Sequence, residues 1–128
     1  MILVAAGLIF KNNSLLITQR PAGKHGALKW EFPGGKVEDD EDPRKCLERE
    51  IQEELCIKVK AEDIIETIHH RYPDRSVLLL FYRCQWLSGE PQPIECNAIA
   101  WSDSAHLTEY DFLEADLDFI RRLAQKSF

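Results

Sequence analysis

The sequence of 128 residues lacks the features typical of a secreted, a zinc-binding or a nucleic-acid-binding protein. Its four cysteines form no CxxC pair and follow no regular spacing. They are Cys46, Cys56, Cys84 and Cys96. This pattern favours buried thiols in a reducing cytosol over a disulfide framework or a zinc site. We therefore predict a cytoplasmic protein.

Long apolar runs and an excess of positive charge are also missing. The apolar stretch Met1–Phe10 has no basic segment before it and ends at Lys11, so it is too short to cross a membrane and predicts a strand. The net charge of −6 argues against binding to a nucleic-acid polymer, because nothing would neutralise a run of phosphates. A single nucleotide stays possible, since a bound metal ion inverts the local charge.

What is present is typical of one globular domain spanning residues 1–128. Apolar residues make up 45% and charged residues 30% of the chain, which is the balance of a globular protein with a real core. There is no repeat, low-complexity tract or linker. We predict one domain of the α/β class.

Local patterns predict strands separated by two helices. Asp42 followed by Pro43 is typical of a helix N-cap and first turn, so we predict a helix over Pro43–Leu55 with Leu47 and Ile51 in its buried stripe. A second helix is predicted over residues 114–125, with Leu117, Ile120, Leu123 and Ala124 facing the core. The predicted strands are Met1–Phe10, Ser14–Arg20, Trp30–Phe32, Ile64–Arg71, Ser76–Trp86 and Ala98–Ser102.

The segments between the strands also show patterns that predict their structure. Lys11-Asn12-Asn13 predicts a hairpin turn, 21–29 a loop, and Pro33-Gly34-Gly35 a stop after the third strand. Strands interrupted by one central and one terminal helix predict a mixed sheet covered on both faces.

Three glutamates at helical spacing are the most informative feature of the chain. Glu50, Glu53 and Glu54 lie at i, i+3 and i+4, where their charges repel by a few tenths of a kcal/mol per pair. Carboxylate oxygens are ligands that Mg²⁺ and Mn²⁺ prefer. The alternative is a solvated acidic face with Arg49 and Lys45 as partners.

The full spacing around these glutamates resembles the Nudix box. Its members here are Gly35, Glu41, Arg49, Glu50, Ile51, Glu53, Glu54 and Ile57. Nudix hydrolases cleave nucleoside diphosphates linked to another group. The resemblance implies a mixed β-sheet in an α/β/α sandwich with a catalytic loop-helix-loop, and a Mg²⁺ cofactor that Mn²⁺ can replace.

The resemblance also implies a role for each residue of the box. Glu53 and Glu54 match the primary metal ligands, and Glu50 matches an additional ligand or a carboxylate that orients water. Arg49 is expected to pair with one of these glutamates, and Glu41 to brace the preceding loop, in one interpretation by pairing with Arg49. Gly34 and Gly35 would let the backbone approach metal or phosphate, with Gly34 in the metal set.

The resemblance also concerns Cys56 and Glu95. Cys56 stands where the family has Gly at a helix end with positive φ, a conformation that costs Cys roughly 1–2 kcal/mol. Glu95 precedes Trp101 at the spacing of a further metal ligand or general base in MutT-type Nudix enzymes. Without the resemblance, Glu95 is an ordinary loop glutamate.

The similarity to MutT-type enzymes extends over nearly the whole chain. The matching segments are Thr18-Gln19-Arg20, His25, Trp30 to Lys36, Tyr72 to Arg75 and Asp111 to Asp116. It implies that Phe32 lines a base pocket and that Arg20, His25 and Arg75 contact base, sugar or phosphate. Alternatively, Phe32 is plain core, the two arginines are surface charges and His25 is a solvated side chain.

Asp116 departs from the Asn that enzymes recognising 8-oxoguanine commonly present. An ionised Asp only accepts hydrogen bonds, so it would donate to guanine O6 only if burial kept it protonated. The resemblance implies Mg²⁺-dependent hydrolysis of (deoxy)nucleoside triphosphates to monophosphate and pyrophosphate, most readily 8-oxo-dGTP. The alternatives are a pyrophosphatase for CTP or dCTP derivatives such as 5-methyl-dCTP, and a non-catalytic nucleotide sensor. The expected partner is a small nucleotide, bound by a monomer or a homodimer.

Overall fold

The computed structural model describes all residues from Met1 to Phe128 and contains seven strands, two α-helices and two short 3-10 helices. The strands are β1 (Ile2–Lys11), β2 (Ser14–Gln19), β3 (Trp30–Glu31), β4 (Gly34–Lys36), β5 (Lys58–Arg71), β6 (Ser76–Ser88) and β7 (Ala98–Ser102). The helices are α1 (Pro43–Leu55) and α2 (Leu117–Ala124), and the 3-10 helices cover Ser104–Glu109 and Glu114–Asp116. Neither α-helix combines the length and the apolar character needed to span a membrane.

The sheet is mixed, as predicted. Its order is β3-β2-β1-β6-β5, with β4 paired to β1 and β7 paired to β2. Strand β1 runs parallel to β6, with Ile2 opposite Val77 and Ile9 opposite Cys84. It runs antiparallel to β2 and β4. The centre of the sheet is therefore β1, which joins the region of β4 to the long β5–β6 hairpin.

Two core clusters lie on opposite faces of this sheet. Alternate residues of a strand point to opposite faces, and β1 sends Ala5 and Ile9 into one cluster but Ala6 and Leu8 into the other. The first cluster is completed by α1 with Leu47, Ile51 and Leu55, and the second by α2 with Phe119, Ile120 and Leu123. This arrangement is the predicted α/β/α sandwich.

Helix α1 has the predicted bounds. The Asp42 side chain accepts a hydrogen bond from the Arg44 backbone N–H, and Pro43 occupies the first turn. The helix ends at Cys56, whose φ of 59° is left-handed, as expected for the position where the family has Gly. Gly7 lets β1 approach α1, since a Cβ there would lie 3.0 Å from Ile51 Cδ1.

The hairpin between β1 and β2 is confirmed. Asn12 and Asn13 have φ values of 49° and 66°, which Asn adopts more readily than most residues. Phe10 pairs with Leu15 across the turn.

The structure departs from the prediction at three places. Strand β5 begins at Lys58 instead of Ile64, because shifts in its pairing with β6 between Ala61 and Glu66 break the alternation that sequence patterns depend on. The predicted stop after the third strand is confirmed, since β3 ends at Glu31, but Gly34 and Gly35 then begin β4, a strand that the sequence pattern does not predict. Strand β4 can lie against β1 because Gly34 has no Cβ. A Cβ there would be 2.0 Å from the Ala5 carbonyl oxygen.

The C-terminal helix also differs from the prediction. Residues 114–116 form a 3-10 turn, and the α-helix proper starts at Leu117. Leu117 is exposed at the helix start, whereas Phe119 is buried together with Ile120 and Leu123. The buried face therefore includes Ile120 and Leu123 as predicted, with Phe119 in place of Leu117.

Candidate functional site

A cleft of about 270 Å³ opens beside the N-terminal half of β1. Eight of the predicted site residues line it: Arg20, His25, Phe32, Gly34, Gly35, Glu54, Arg75 and Asp116. The other four, Arg49, Glu50, Glu53 and Glu95, lie outside its wall. The cleft thus has one end at α1 and another end formed by residues that are distant in sequence.

At the α1 end, Arg49 forms ion pairs with three carboxylates. Its guanidinium lies 3.0 Å from Glu41, 3.1 Å from Glu53 and 3.3 Å from Glu50. The predicted pairing of Arg49 with Glu41 and with a glutamate of α1 is therefore confirmed. Arg49 holds the loop before α1 against the helix and offsets the repulsion among its glutamates.

Glu54 points away from Arg49 into the cleft. Its carboxylate accepts a hydrogen bond from the Gly34 N–H at 3.3 Å. Burial raises the pKa of Glu54 to about 8, and the charges of Glu31 and Glu50 add to the effect. A half-buried carboxylate of this kind favours a cation beside it.

The backbone of β4 passes very close to Glu50. A Cβ at Gly35 would lie 2.5 Å from the Glu50 Cδ and 2.7 Å from Oε2, so a larger residue there would displace the Glu50 side chain. The predicted approach of the Gly34-Gly35 backbone to metal or phosphate stays a prediction. Burial also raises the pKa of Glu50, with the Glu53 charge acting in the same direction.

The acidic side chains do not converge on one point in this structure. No three Asp, Glu, His or Cys side chains are grouped as a metal centre. The contacts give the reason, since the Arg49 guanidinium binds the Glu50 and Glu53 carboxylates while the Glu54 carboxylate accepts from the Gly34 N–H. The donor set still fits a hard divalent cation, since it consists of carboxylates on adjacent helical positions beside a glycine loop with no Cβ.

Glu95 is exposed but lies next to this end of the cleft. Its backbone N–H approaches the Glu54 carbonyl oxygen at 3.4 Å. Its charge contributes to raising the pKa of both Glu50 and Glu54. The loop before β7 therefore brings Glu95 to the carboxylates of α1.

The other end of the cleft contains an arginine held from two sides. Arg20 Nη1 lies 3.1 and 3.3 Å from the two carboxylate oxygens of Glu31, and its Nε donates to the His25 carbonyl oxygen at 2.8 Å. The sequence pattern indicates Arg20 and His25 but assigns no role to Glu31.

Tyr72 is a second cleft residue that the sequence pattern does not indicate. Its ring packs edge-to-face against His25, with the centroids 5.9 Å apart, and the Arg75 guanidinium lies 5.4 Å from its centroid. All three line the cleft. The sequence offers one indication of Tyr72, because it is the first residue of the turn that matches MutT-type segments. From that turn, the sequence pattern predicts only Arg75 as a site residue.

Phe32 and Asp116 close the inner wall. Phe32 belongs to the core and also lines the cleft, and its contact with a base stays a prediction. Asp116 is 5% exposed, and burial raises its pKa to about 7, with a smaller contribution from the Glu31 charge. A carboxyl group in this state is populated in both neutral and ionised forms near neutrality.

Comparison with known proteins gives consistent matches over nearly the whole chain. The NUDIX domain family matches residues 5–122. The 8-oxo-dGTP diphosphatase of Escherichia coli (strain K12) is 36% identical over 121 residues, covering 94% of each chain. The CTP pyrophosphohydrolase of the same strain is 32% identical over 120 residues, covering 94% of this chain and 89% of the relative.

A solved structure of the MutT protein from Methanosarcina mazei Go1 superimposes with a TM-score of 0.84. It covers 97% of this chain and 93% of that protein, at 22% identity, which supports the fold alone. The fold, the glutamate helix and the extent of these matches agree. The chain belongs to the Nudix hydrolase family and is a MutT-like member of it.

Proposed function

We propose that this protein hydrolyses (deoxy)nucleoside triphosphates to the monophosphate and pyrophosphate, with 8-oxo-dGTP as its preferred substrate. The base would occupy the Asp116 end of the cleft, and the phosphates would lie towards Gly34, Gly35 and Glu54. The relative named 8-oxo-dGTP diphosphatase supports the substrate class.

The α1 end is suited to the chemistry of phosphate. We assign Glu50, Glu53, Glu54, Glu95 and the Gly34 backbone to holding Mg²⁺, with Mn²⁺ as a substitute. A cation held by these groups would supply charge neutralisation for the phosphates and a lowered pKa for a bound water molecule. Arg49 orients Glu50 and Glu53, and Glu41 fixes Arg49 in turn. Positioning and charge neutralisation are what phosphoryl transfer mainly requires of a protein.

The observation that carries the choice of base is the burial of Asp116. A neutral carboxyl group has one O–H donor and one carbonyl acceptor, which is the pattern that an Asn side-chain amide offers. With a pKa of about 7, Asp116 is neutral in a large share of molecules at physiological pH. Asp116 can therefore donate to a guanine O6 as well as accept from a guanine N–H group.

The same observation supports a second candidate, a pyrophosphatase for CTP or dCTP derivatives. The ionised form of Asp116 accepts from the exocyclic amine of cytosine. The relative named CTP pyrophosphohydrolase is consistent with this alternative. In this proposal both substrate classes would use the same cleft, and the protonation state of Asp116 would decide between them.

The experiment is pyrophosphate release from a panel of nucleotides at fixed Mg²⁺, with Glu53→Gln as the blank. The panel contains the ordinary NTPs and dNTPs, 8-oxo-dGTP, 5-methyl-dCTP and ADP-ribose. We expect 8-oxo-dGTP to give the highest kcat/KM, well above the value with dGTP. A preference for cytidine nucleotides would establish the second candidate, and turnover of none of them would contradict both.

A further inference from the structure

Glu31 is a charged residue in the wall of the cleft, and neither the Nudix box nor the base-reading pattern includes it. It lies on β3, opposite Thr18 of β2, and its side chain is 28% exposed. Its partner Arg20 is similarly half-buried, with 27% of its side chain exposed. Both side chains of the pair therefore line the cleft.

The hydrogen bonds of Arg20 show how it is held. Its Nη1 donates to both oxygens of Glu31, and its Nε donates to the His25 carbonyl oxygen. The third nitrogen, Nη2, forms no hydrogen bond within the protein. A planar guanidinium fixed by two of its nitrogens has the direction of the third one fixed as well.

Glu31 also stands between the two ends of the cleft. Beside the effect of burial, its negative charge raises the pKa of both Glu54 and Asp116. Removing Glu31 would release Arg20 and would change the field at both ends.

We propose that Glu31 is a positioning residue for nucleotide binding, which fixes the Arg20 guanidinium against the His25 carbonyl so that Nη2 is presented to the bound nucleotide. This inference rests on the proposed function, since it needs a nucleotide in the cleft. The effect is on binding through pre-organisation of Arg20, because a side chain already held in its bound geometry loses less freedom when the ligand arrives. A purely structural ion pair would instead brace β2 against β3 and leave affinity unchanged.

The test is isothermal titration calorimetry of 8-oxo-dGMP and dCMP, without added metal. The variants are Glu31→Ala, Arg20→Ala and the double variant, with melting temperatures as a check of folding. We expect Glu31→Ala to weaken binding about tenfold, Arg20→Ala to weaken it at least as much, and the double variant to bind no worse than Arg20→Ala. Multiplying losses, or unchanged affinity in Glu31→Ala, would overturn the proposal.

Two conservative variants separate position from charge and cover the case in which Glu31→Ala does not fold. Glu31→Gln keeps an oxygen at the same reach and should bind within about threefold of the wild type. Glu31→Asp keeps the charge but withdraws the carboxylate by one methylene, so binding should weaken about fivefold. Wild-type binding by Glu31→Asp would overturn the proposal.

A matched control lies in the same loop region. Lys29 and Asp111 form an ion pair at 2.9 Å whose members do not line the cleft. Asp111→Ala should leave nucleotide affinity unchanged, and a loss equal to that of Glu31→Ala would contradict the positioning role. If the wild type binds no nucleotide, the proposed function fails together with this inference. If the wild type binds and hydrolyses nucleotide while the Glu31 variants match it, this inference fails alone.

Discussion

The two ends of the cleft are built in different ways. The α1 end takes Arg49, Glu50, Glu53 and Glu54 from one helix and Glu41 from the loop before it. The other end is assembled from the end of β2, from β3, from the β5–β6 turn and from the 3-10 helix before α2. One end is thus largely a local sequence feature, to which the fold adds Gly34 and Glu95, and the other exists only when the sheet has formed.

In the proposed function, this difference also separates the residues of the chemical step from those that select the base. The α1 end can be described from helical spacing, because residues at i, i+3 and i+4 share a face whatever the rest of the chain does. The second end depends on the topology of the sheet and on burial, and burial sets the state of Asp116. We expect changes at the first end to alter turnover, and changes at the second to alter the choice of base.

The largest effect should come from Glu53→Gln at the α1 end. Loss of one carboxylate ligand should lower kcat roughly 10²- to 10³-fold, since a catalytic metal supplies several kcal/mol of charge stabilisation. The melting temperature should change little, because the Glu53 side chain is 49% exposed.

Glu48→Gln is the matched control for Glu53→Gln on the same helix. Glu48 accepts a hydrogen bond from the Ala61 N–H, away from the cleft, and Gln keeps an acceptor there. Steady-state kinetics should show wild-type turnover for Glu48→Gln. Equal activity in the two variants would remove Glu53 from the proposed metal site.

At the other end, Asp116→Asn should change stability in a pH-dependent way. The pKa of Asp116 in the folded protein is about 7, above its ordinary value of 3.8, so its favourable contribution is complete below about pH 4 and is lost as pH rises through 7. Asn avoids that loss. At pH 8 the variant should be more stable by on the order of 2–4 kcal/mol, and near pH 4 the two proteins should melt together.

Asp118→Asn controls for the loss of a charge at the same helix. The Asp118 side chain is 80% exposed, so its removal should shift the melting temperature little at either pH. An Asp116→Asn shift that is the same at pH 4 and pH 8 would contradict the buried, titrating carboxyl.

The same Asp116→Asn variant should reorder the bases without abolishing turnover. Asn cannot ionise, so the variant loses the acceptor-only form that suits a cytosine amine and keeps the donor–acceptor form that suits guanine. We expect the preference for 8-oxo-dGTP over 5-methyl-dCTP, measured as a ratio of specificity constants, to rise about tenfold at pH 8. An unchanged ranking would mean that Asp116 does not contact the base.

The smallest effect should come from Cys56→Gly at the end of α1. Cys56 has a φ of 59°, which glycine adopts without strain. The replacement should stabilise the fold by about 1 kcal/mol and raise the melting temperature by roughly 3–5 °C, with kcat unchanged. A lower melting temperature would show that the Cys56 side chain contributes more than its backbone strain costs.

Features set by local sequence can be predicted, whereas features set by the assembled sheet cannot. Helix α1, its caps, the Asn12-Asn13 turn and the sandwich follow from local patterns, and the structure confirms them. The start of β5 could not be predicted because bulges disrupt its alternation. The cleft position of Glu31 was hidden because strand alternation does not show which pairs meet across a sheet. The sequence shows an Asp at position 116 but not its protonation state. That state depends on the burial of Asp116 in the folded protein.

The most direct test of the account is the pH dependence of base preference between pH 6 and pH 8, measured as the specificity constant with 8-oxo-dGTP divided by that with 5-methyl-dCTP. Effects of pH on the shared chemistry cancel in this ratio. With a pKa of about 7 for Asp116, the neutral fraction falls about tenfold over this range, so the ratio should fall at least tenfold in the wild type and stay flat in Asp116→Asn. A ratio that is flat in the wild type, or that falls equally in both proteins, would contradict the claim that Asp116 selects the base through its proton.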